Sequence, residues 1–235
     1  MILPIQHFSG LSALPSVLHG FVLRVPGLDL RTDRESALER LEEYHSEARA
    51  VFGSREFYTA EQVHGSALAA VGRVGLHRDL DPTSPTSQTS NVDGLLTNDP
   101  GAVLGIYVAD CCAIFLADPG RPAIGLVHSG RKGTELNIAG AAVRRMSHEF
   151  GTDPADVIAQ LSPCIRPPFY EVDFAAEIQK QLRAAGVKHV FDTGENTGAD
   201  LEKFYSYRME KGRTGRMLAL LGIASGAAPG GGRRG

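Results

Sequence analysis

The spacing of hydrophobic residues predicts a first helix over residues 32–52. Apolar side chains recur there at steps of three, seven and four residues, which places them on one helix face. They are Leu38, Leu41, Ala48 and Phe52. Thr32 and Glu35 have the spacing of a capping box, in which two side chains satisfy free backbone N–H groups, and Gly53 is a typical helix terminator.

The same pattern predicts two further helices. The stretch that follows Gly133 carries one apolar stripe at alternating steps of three and four, up to residue 150. The stripe consists of Leu136, Ala139, Val143, Met146 and Phe150. Another helix is predicted over residues 173–185, with Gly186 as its terminator.

Short runs of apolar, β-branched and aromatic residues between the helices predict β-strands. The predicted strands cover residues 19–25, 102–108, 123–127, 157–161 and 187–191, with a last strand near the end of residues 200–223. Two further runs, 57–63 and 67–74, are interrupted at His64 and Gly65, so His64 is expected at a strand end. Residues 77–90 are rich in Pro, Ser and Thr and predict an exposed loop.

Composition indicates one globular domain and a polar tail. The chain has 235 residues, of which 43% are hydrophobic and 22% are charged, as in soluble globular enzymes. We expect a single domain over residues 1–224. Residues 225–235 are so rich in Gly and Pro that we expect them to be disordered.

Charge and hydropathy argue against several classes of partner. The formal net charge is −3 and the pI is near 6.2, which gives no reason to expect nucleic acid or an anionic membrane as a partner. No apolar run reaches the roughly 18 residues that a membrane helix needs. The first ten residues lack the pattern of a signal peptide, and three cysteines are too few for a disulfide framework. We therefore expect a cytoplasmic protein.

Three side chains with the chemistry of metal ligands lie at the ends of predicted strands. His64 lies at the interruption, Cys111 follows one apolar strand, and His128 follows the next. In an extended chain the side chains of Cys111 and Cys112 point in opposite directions, so only one can face a site. Cys111 is the better candidate ligand, and Cys112 is predicted to lie in the core. Two histidines and one cysteine with an open fourth position are the ligand set of a catalytic zinc site.

A basic, glycine-rich turn follows His128. Residues 130–133 precede the predicted helix, whose free backbone N–H groups and dipole favour an anion such as phosphate. An ordinary solvated pair of Arg131 and Lys132 is the alternative interpretation. Asp110 is a candidate to orient a ligand or to shuttle a proton, and equally a candidate to cap the turn after its strand.

Six sequence motifs, in chain order, carry a resemblance to one family. They are QVHG, DGLLTNDPG, VADC, VHSGRKGT followed by a helix, SPCIRPPFYEV, and FYSYR with TGRMLALLG. Together they span roughly residues 56–223, and the spacing between ADC and His-x-Gly is specific. In these motifs the chain resembles the YfiH family, whose members are also called laccase-domain or polyphenol oxidase-like proteins.

The resemblance implies a fold, a chemistry and a set of ligands. The family fold is α+β, a four-layer α/β/β/α sandwich with mixed sheets. Family members are associated with purine nucleoside phosphorylase and adenosine deaminase activities, which implies a purine nucleoside and phosphate as small-molecule ligands. The family's zinc ligands correspond to His64, Cys111 and His128, which with Asp110 form the expected catalytic set.

The resemblance also suggests where phosphate binds. The candidate phosphate ligands are Arg131, Lys132 and, as a weaker match to a family arginine, Arg24. Arg131 stands where the family usually has a tryptophan, and Lys132 is the basic residue that follows.

Three other interpretations remain open. A copper-dependent polyphenol oxidase could use two histidines and a cysteine, although the eight histidines include no His-x-His pair of the multicopper type. A metal-free hydrolase could pair Cys111 as nucleophile with His64 or His128 as base. A non-enzymatic binding protein would retain the ligands without turnover.

Overall fold

The computed structural model describes residues 3–72 and 87–224 of the chain. Within these ranges, five α-helices and twelve strands form. The helices are α1 (Ser9–Ser12), α2 (Arg34–Ala50), α3 (Arg131–Glu135), α4 (Ile138–Phe150) and α5 (Phe174–Ala184). The strands are β1 (Ile5–Gln6), β2 (Val17–Val22), β3 (Glu56–Ala60), β4 (Leu68–Ala70), β5 (Ser87–Thr89), β6 (Gly94–Thr97), β7 (Ala102–Val108), β8 (Cys112–Asp118), β9 (Ala123–Ser129), β10 (Ile158–Leu161), β11 (His189–Asp192) and β12 (Met217–Ile223).

The strands form two mixed six-stranded sheets. The first has the order β1-β2-β12-β7-β3-β5, and the second has the order β11-β10-β8-β9-β6-β4. Parallel pairs join β3 to β5 and β7, β4 to β6, and β10 to β11. The other neighbouring strands are antiparallel.

The alternation of side chains along β8 shows how the layers stack. Phe115 lies in the core between the two sheets, whereas Ile114 lies in the core that the second sheet shares with α4 and α5. A third core joins α2 to the outer face of the first sheet through Ala48 and Leu218. The layers are therefore α2, first sheet, second sheet, and α4 with α5. This arrangement confirms the predicted four-layer α/β/β/α fold.

The start of α2 differs from the prediction. Asp33 is the N-cap, and its carboxylate accepts a hydrogen bond from the Ser36 N–H at 3.0 Å. The Thr32 hydroxyl donates to the Asp33 carboxylate instead of capping the helix. The predicted capping box of Thr32 and Glu35 is therefore wrong, because the chain enters the helix one residue later than the pattern required.

The single helix predicted after Gly133 is two helices. Asn137 separates α3 from α4 with a left-handed backbone (φ +55°), and its side chain accepts from the Gly140 N–H as the N-cap of α4. Leu136 is 50% exposed and does not belong to the buried stripe. Arg131 and Lys132 consequently form the first turn of α3 rather than preceding a long helix.

Two strand boundaries also move. β2 ends at Val22, so the strand predicted over residues 19–25 is displaced towards the N-terminus. β9 continues to Ser129, and His128 is therefore a strand residue and not the first residue of a turn.

Part of the predicted loop over residues 77–90 is a strand. Residues 87–89 form β5 and pair with β3, because backbone pairing does not require apolar side chains. Residues 73–86 and the predicted disordered tail, 225–235, lie outside the described residues. Among the described helices, none combines the length and apolar character needed to cross a membrane.

Candidate metal centre and substrate cavity

The fold brings His64, Cys111 and His128 into one cluster. Their ligand atoms all lie within 4.8 Å of one another. The two histidine rings are 4.8 Å apart between centroids and nearly perpendicular, at 83°. Bonds of about 2.0–2.3 Å to a tetrahedral ion separate ligand atoms by roughly 3.4–3.6 Å. The three side chains predicted as ligands therefore lie together, and a small contraction would bring their ligand atoms to distances that suit a metal ion.

Asp93, which the sequence pattern does not single out, connects two of these three residues. Its Oδ1 lies 2.8 Å from Nδ1 of His128 and accepts from the His64 N–H at 2.9 Å, while its Oδ2 accepts from the Gly65 N–H at 2.6 Å. Asp93 is fully buried. Because an ionised carboxylate only accepts, Nδ1 of His128 is the donor and Nε2 is left for a metal ion.

Strand register explains why Asp93 was missed. Gly94 pairs with Val127 in adjacent strands, which places Asp93 beside His128. The backbone N–H of His128 also donates to the Asp93 carbonyl, at 2.7 Å. The sequence shows only an Asp-Gly pair before a strand. The pairing of β6 with β9 is needed to place this aspartate beside His128.

The turn that presents His64 has a left-handed backbone. Gln62 and His64 have φ values of +63° and +59°, which are unfavourable for residues other than glycine. The Gln62 side chain donates to the Tyr107 carbonyl at 2.6 Å and accepts from the Tyr107 N–H at 3.0 Å. These bonds, with those from Asp93, hold the turn in place before any ligand arrives.

Gly130, the N-cap of α3, allows the Cys111 sulfur to lie close to the backbone. A Cβ atom at position 130 would lie 2.6 Å from Sγ of Cys111 and 3.7 Å from the His64 ring. Any larger residue would displace the sulfur. Cys112 is fully buried in the core under α4, as the alternation along an extended chain predicted.

Cys111 and His128 change each other's ionisation. Burial opposes the thiolate, but the charge of His128 and hydrogen bonds from His128 and His64 outweigh it and lower the pKa of the Cys111 thiol to about 6. Burial likewise lowers the pKa of His128, but Cys111 and Asp93 outweigh it and raise that pKa to about 9. Without a metal ion, the pair is therefore a thiolate and an imidazolium at neutral pH.

The cluster lies in the wall of a cavity of about 730 Å³. This volume is within the range of small-molecule sites. Its lining includes the aromatic residues Tyr107, Tyr170, Phe174 and Tyr207. It also includes six basic residues, Arg34, Arg131, Lys132, Arg208, Lys211 and Arg216.

The remaining predicted site residues have different surroundings. Asp110 lines the cavity, and its carboxylate accepts from the Thr197 hydroxyl and the Arg208 N–H, both at 2.7 Å. Arg131 and Lys132 line the cavity as well. Arg24 is not among the lining residues and forms an ion pair with Glu210 at 2.5 Å.

Comparison with known proteins gives consistent matches. The family model described as multi-copper polyphenol oxidoreductase laccase matches residues 26–178 and 170–224. The purine nucleoside phosphorylase YlmD of Geobacillus stearothermophilus is 29% identical over 226 residues, covering 83% of this chain and 80% of that protein. A purine nucleoside phosphorylase of Deinococcus radiodurans is 31% identical over 199 residues, covering 73% and 72%.

A solved structure has the same fold. The crystal structure of the YfiH protein of Bacillus licheniformis superimposes with a TM-score of 0.75 at 21% identity, covering 88% of this chain and 93% of that one. At this identity the similarity concerns the fold. Together with the match to the family model, it confirms the resemblance inferred from the six motifs.

Proposed function

The chain belongs to the multi-copper polyphenol oxidoreductase laccase family, and from this premise we propose that it is a zinc-dependent purine nucleoside phosphorylase. The observation that carries the proposal is the cluster of His64, Cys111 and His128 in the wall of a cavity lined by six basic side chains. Such a cavity offers a metal site and an anion site together. The names of the two relatives, both purine nucleoside phosphorylases, support the same chemistry.

Zinc suits the donor set of the cluster. Zinc accepts both thiolate and imidazole ligands, and three protein ligands leave a fourth position open, as in catalytic sites. When bound, zinc would supply Lewis-acid polarisation of a substrate atom. Copper is the competing ion, because a cysteine and two histidines also suit copper.

The protein's own residues bind and orient the reactants in this proposal. Asp93 fixes the orientation of His128 and the turn that carries His64. Tyr170, Phe174 and Tyr207 offer flat apolar surfaces for a purine. The proposed substrates are adenosine, inosine, guanosine and methylthioadenosine.

The reaction places two demands on the cavity. A phosphate oxygen forms a bond to the anomeric carbon of ribose while the bond from that carbon to the purine nitrogen breaks. The electron pair of the broken bond passes to the purine together with the proton that hydrogen phosphate gives up, and the sugar becomes ribose 1-phosphate. Basic side chains of the cavity lining would hold the phosphate anion. The Asp110 carboxylate accepts a hydrogen bond from the Arg208 backbone N–H, and it would thereby hold Arg208 at the cavity.

A second function is favoured by the ionisation of Cys111. A thiolate beside an imidazolium is the resting state of a cysteine nucleophile with its general base. A metal-free hydrolase would therefore use Cys111 and His128 in the same positions. Adenosine deamination, the third activity considered, would use the metal centre to add water at C6 of the purine, and the C6–N bond would then break to release ammonia and leave inosine.

One experiment separates these functions. Zinc-loaded protein, copper-loaded protein and chelator-treated protein are incubated with adenosine, with and without phosphate, and the products are identified by mass spectrometry. His128→Ala is the test variant, and His148→Ala, an exposed histidine on α4, is the matched control. We expect adenine and ribose 1-phosphate only with zinc, phosphate and an intact His128.

Other outcomes have defined meanings. Inosine as product would establish deamination beside phosphorolysis. Turnover that survives chelation would favour the cysteine hydrolase. If the zinc-loaded protein converts none of adenosine, inosine, guanosine and methylthioadenosine, the phosphorylase proposal is contradicted. A non-enzymatic binding protein is then the remaining interpretation.

A further inference from the structure

The basic residues of the cavity fall into two groups according to their ion pairs. Arg131 pairs with Glu135 at 3.0 Å and Glu171 at 3.6 Å, and Arg208 pairs with Glu171 at 3.2 Å. The other four form no ion pair with any residue that the structure describes. They are Arg34, Lys132, Lys211 and Arg216. The cavity therefore has more positive charge than its own carboxylates neutralise.

Arg216 is held in position by the backbone. It is partly buried, and its Nη1 donates to the carbonyls of Thr214 and Gly215, both at 2.9 Å. Its guanidinium lies 5.8 Å from the centre of the Tyr207 ring. A guanidinium has five N–H donors, so several remain for a ligand. A fixed and partly desolvated guanidinium is a strong anion donor, because little conformational freedom is lost on binding.

The acidic residue closest in sequence to Lys211 is turned towards other partners. The Glu210 carboxylate accepts from Arg24 and from the Thr214 hydroxyl, both at 2.5 Å, and from the Ser206 N–H at 3.0 Å. Lys211 itself has a left-handed backbone, with φ +53°. Arg24 therefore holds the loop that presents Lys211, and the strained loop is of a kind often found at binding sites.

Arg34 lines the same cavity as Arg216 and adds a second positive charge to it. Burial is the larger cause, but the charge of Arg34 also lowers the pKa of Arg216. Cys111 and His128 line the same cavity as Arg216, so the guanidinium and the candidate metal cluster border one space. Two neighbouring guanidinium groups without a carboxylate partner repel each other, and a bound anion would relieve that repulsion.

We infer that Arg34, Lys211 and Arg216 form the phosphate subsite of this cavity. The assignment of that phosphate as a reactant depends on the proposed phosphorylase, whereas binding itself does not. Two arginines can each bind phosphate oxygens with paired N–H donors, which a lysine cannot do. The start of α3 is the weaker location, because Arg131 is already paired and a helix of five residues has a small dipole.

Direct binding of inorganic phosphate tests the inference. Isothermal titration calorimetry is performed on the zinc-loaded protein without nucleoside, at constant ionic strength. Arg34→Gln and Arg216→Gln should each weaken phosphate binding roughly tenfold or more, since each removes charged hydrogen bonds. Arg213→Gln, from the same loop but outside the cavity lining, is the matched control and should bind phosphate normally.

Three further variants keep the test decisive. Arg216→Lys retains the charge but loses the paired donors, and it should bind phosphate with intermediate affinity. Lys211→Gln should also weaken binding. Lys132→Gln should bind phosphate like the wild type. Loss of binding in Lys132→Gln, with normal binding in Arg34→Gln and Arg216→Gln, would overturn the inference.

Activity measurements distinguish this inference from the proposed function. If the phosphorylase is correct, Arg34→Gln should raise the KM for phosphate and leave the KM for adenosine unchanged. Phosphate binding that depends on Arg34 and Arg216, without phosphorolysis, would support the subsite and contradict the function. Phosphorolysis with an unchanged phosphate KM in both variants would contradict the subsite alone. If binding of adenosine 5′-monophosphate depends on Arg34 and Arg216 but binding of inorganic phosphate does not, the assignment of the subsite to inorganic phosphate is wrong.

Discussion

At the scale of single residues, Asp93 links the side chains of the candidate metal cluster before any ion is bound. One buried carboxylate contacts the His128 ring and the backbone of His64 and Gly65. Burial raises the pKa of Asp93, but the hydrogen bonds from His128, Gly65 and His64, with the charge of His128, outweigh it and keep this pKa below its usual value. Asp93 therefore stays ionised and orients His128.

Replacement of Asp93 should weaken metal binding more than folding. Asp93→Asn removes the charge that orients the imidazole, and loss of such a contact typically costs about 10–100-fold in metal affinity. Competition with a chromophoric zinc chelator measures the affinity. Asp118→Asn is a matched control, since Asp118 is also buried and accepts from the backbone of Gly120 and Arg121 in a turn outside the cavity lining. Equal zinc affinity in both variants would refute a positioning role for Asp93.

A second residue-scale effect concerns the buried His45. Burial, with a smaller effect of the Arg49 charge, lowers the pKa of His45 to about 3. The pKa of a histidine in an unfolded chain is about 6.5. Between these values the unfolded chain binds a proton that the folded protein does not, so the free energy of unfolding should fall as pH falls from 6.5 towards 3.

The variant His45→Phe isolates this contribution. Neither ring nitrogen of His45 has a well-aligned hydrogen bond among the described residues, where the Arg216 backbone is a polar neighbour, and the ring packs 5.5 Å from that of Tyr107. Phenylalanine should keep the packing, raise stability by about 1 kcal/mol at neutral pH, and flatten the pH dependence. Urea unfolding of metal-free protein between pH 7 and pH 4.5 measures both effects. The prediction is wrong if the free energy of unfolding of His45→Phe depends on pH as steeply as that of the wild type and of a His148→Ala control.

At the scale of elements, the hydrophobic pattern located most helices and strands but not their ends. α5 and β10 lie within one residue of their predicted bounds, because each has a clear apolar pattern and a local stop signal. The break at Asn137 was not predicted, because periodicity records burial and not backbone conformation. The strand β5 was missed because it has no apolar pattern and forms through backbone hydrogen bonds with β3.

The cap of α2 gives an element-scale prediction. Asp33→Ala removes the hydrogen bonds to Ser36 and should lower the free energy of unfolding by about 1 kcal/mol. Thr32→Ala should cost much less, because its hydroxyl contacts only the exposed Asp33 side chain among the described residues. Urea unfolding of both variants measures the difference. If Thr32→Ala lowers the free energy of unfolding more than Asp33→Ala does, Thr32 is the cap, as the predicted capping box requires.

At the scale of the whole molecule, the cavity joins segments that are far apart in the chain. Asp110 contacts Thr197 and the backbone of Arg208, and Gln62 contacts Tyr107. The two sheets and their connecting segments must be packed before these contacts form. The site is therefore a property of the assembled sandwich, and local destabilisation of its loops should affect metal and phosphate binding together.

The amino-acid sequence by itself determined the four-layer class through its motifs, the three side chains that form the candidate metal cluster, and the opposite orientations of Cys111 and Cys112. These features follow from residue chemistry and from the alternation of side chains along a strand, both of which are local. Only the tertiary structure revealed the contacts of Asp93. It alone separated Arg24 and Arg131, which form ion pairs, from Arg34 and Arg216, which form none with the described residues. Ion pairing and hydrogen bonding depend on distances between segments remote in sequence, and no local pattern records those distances.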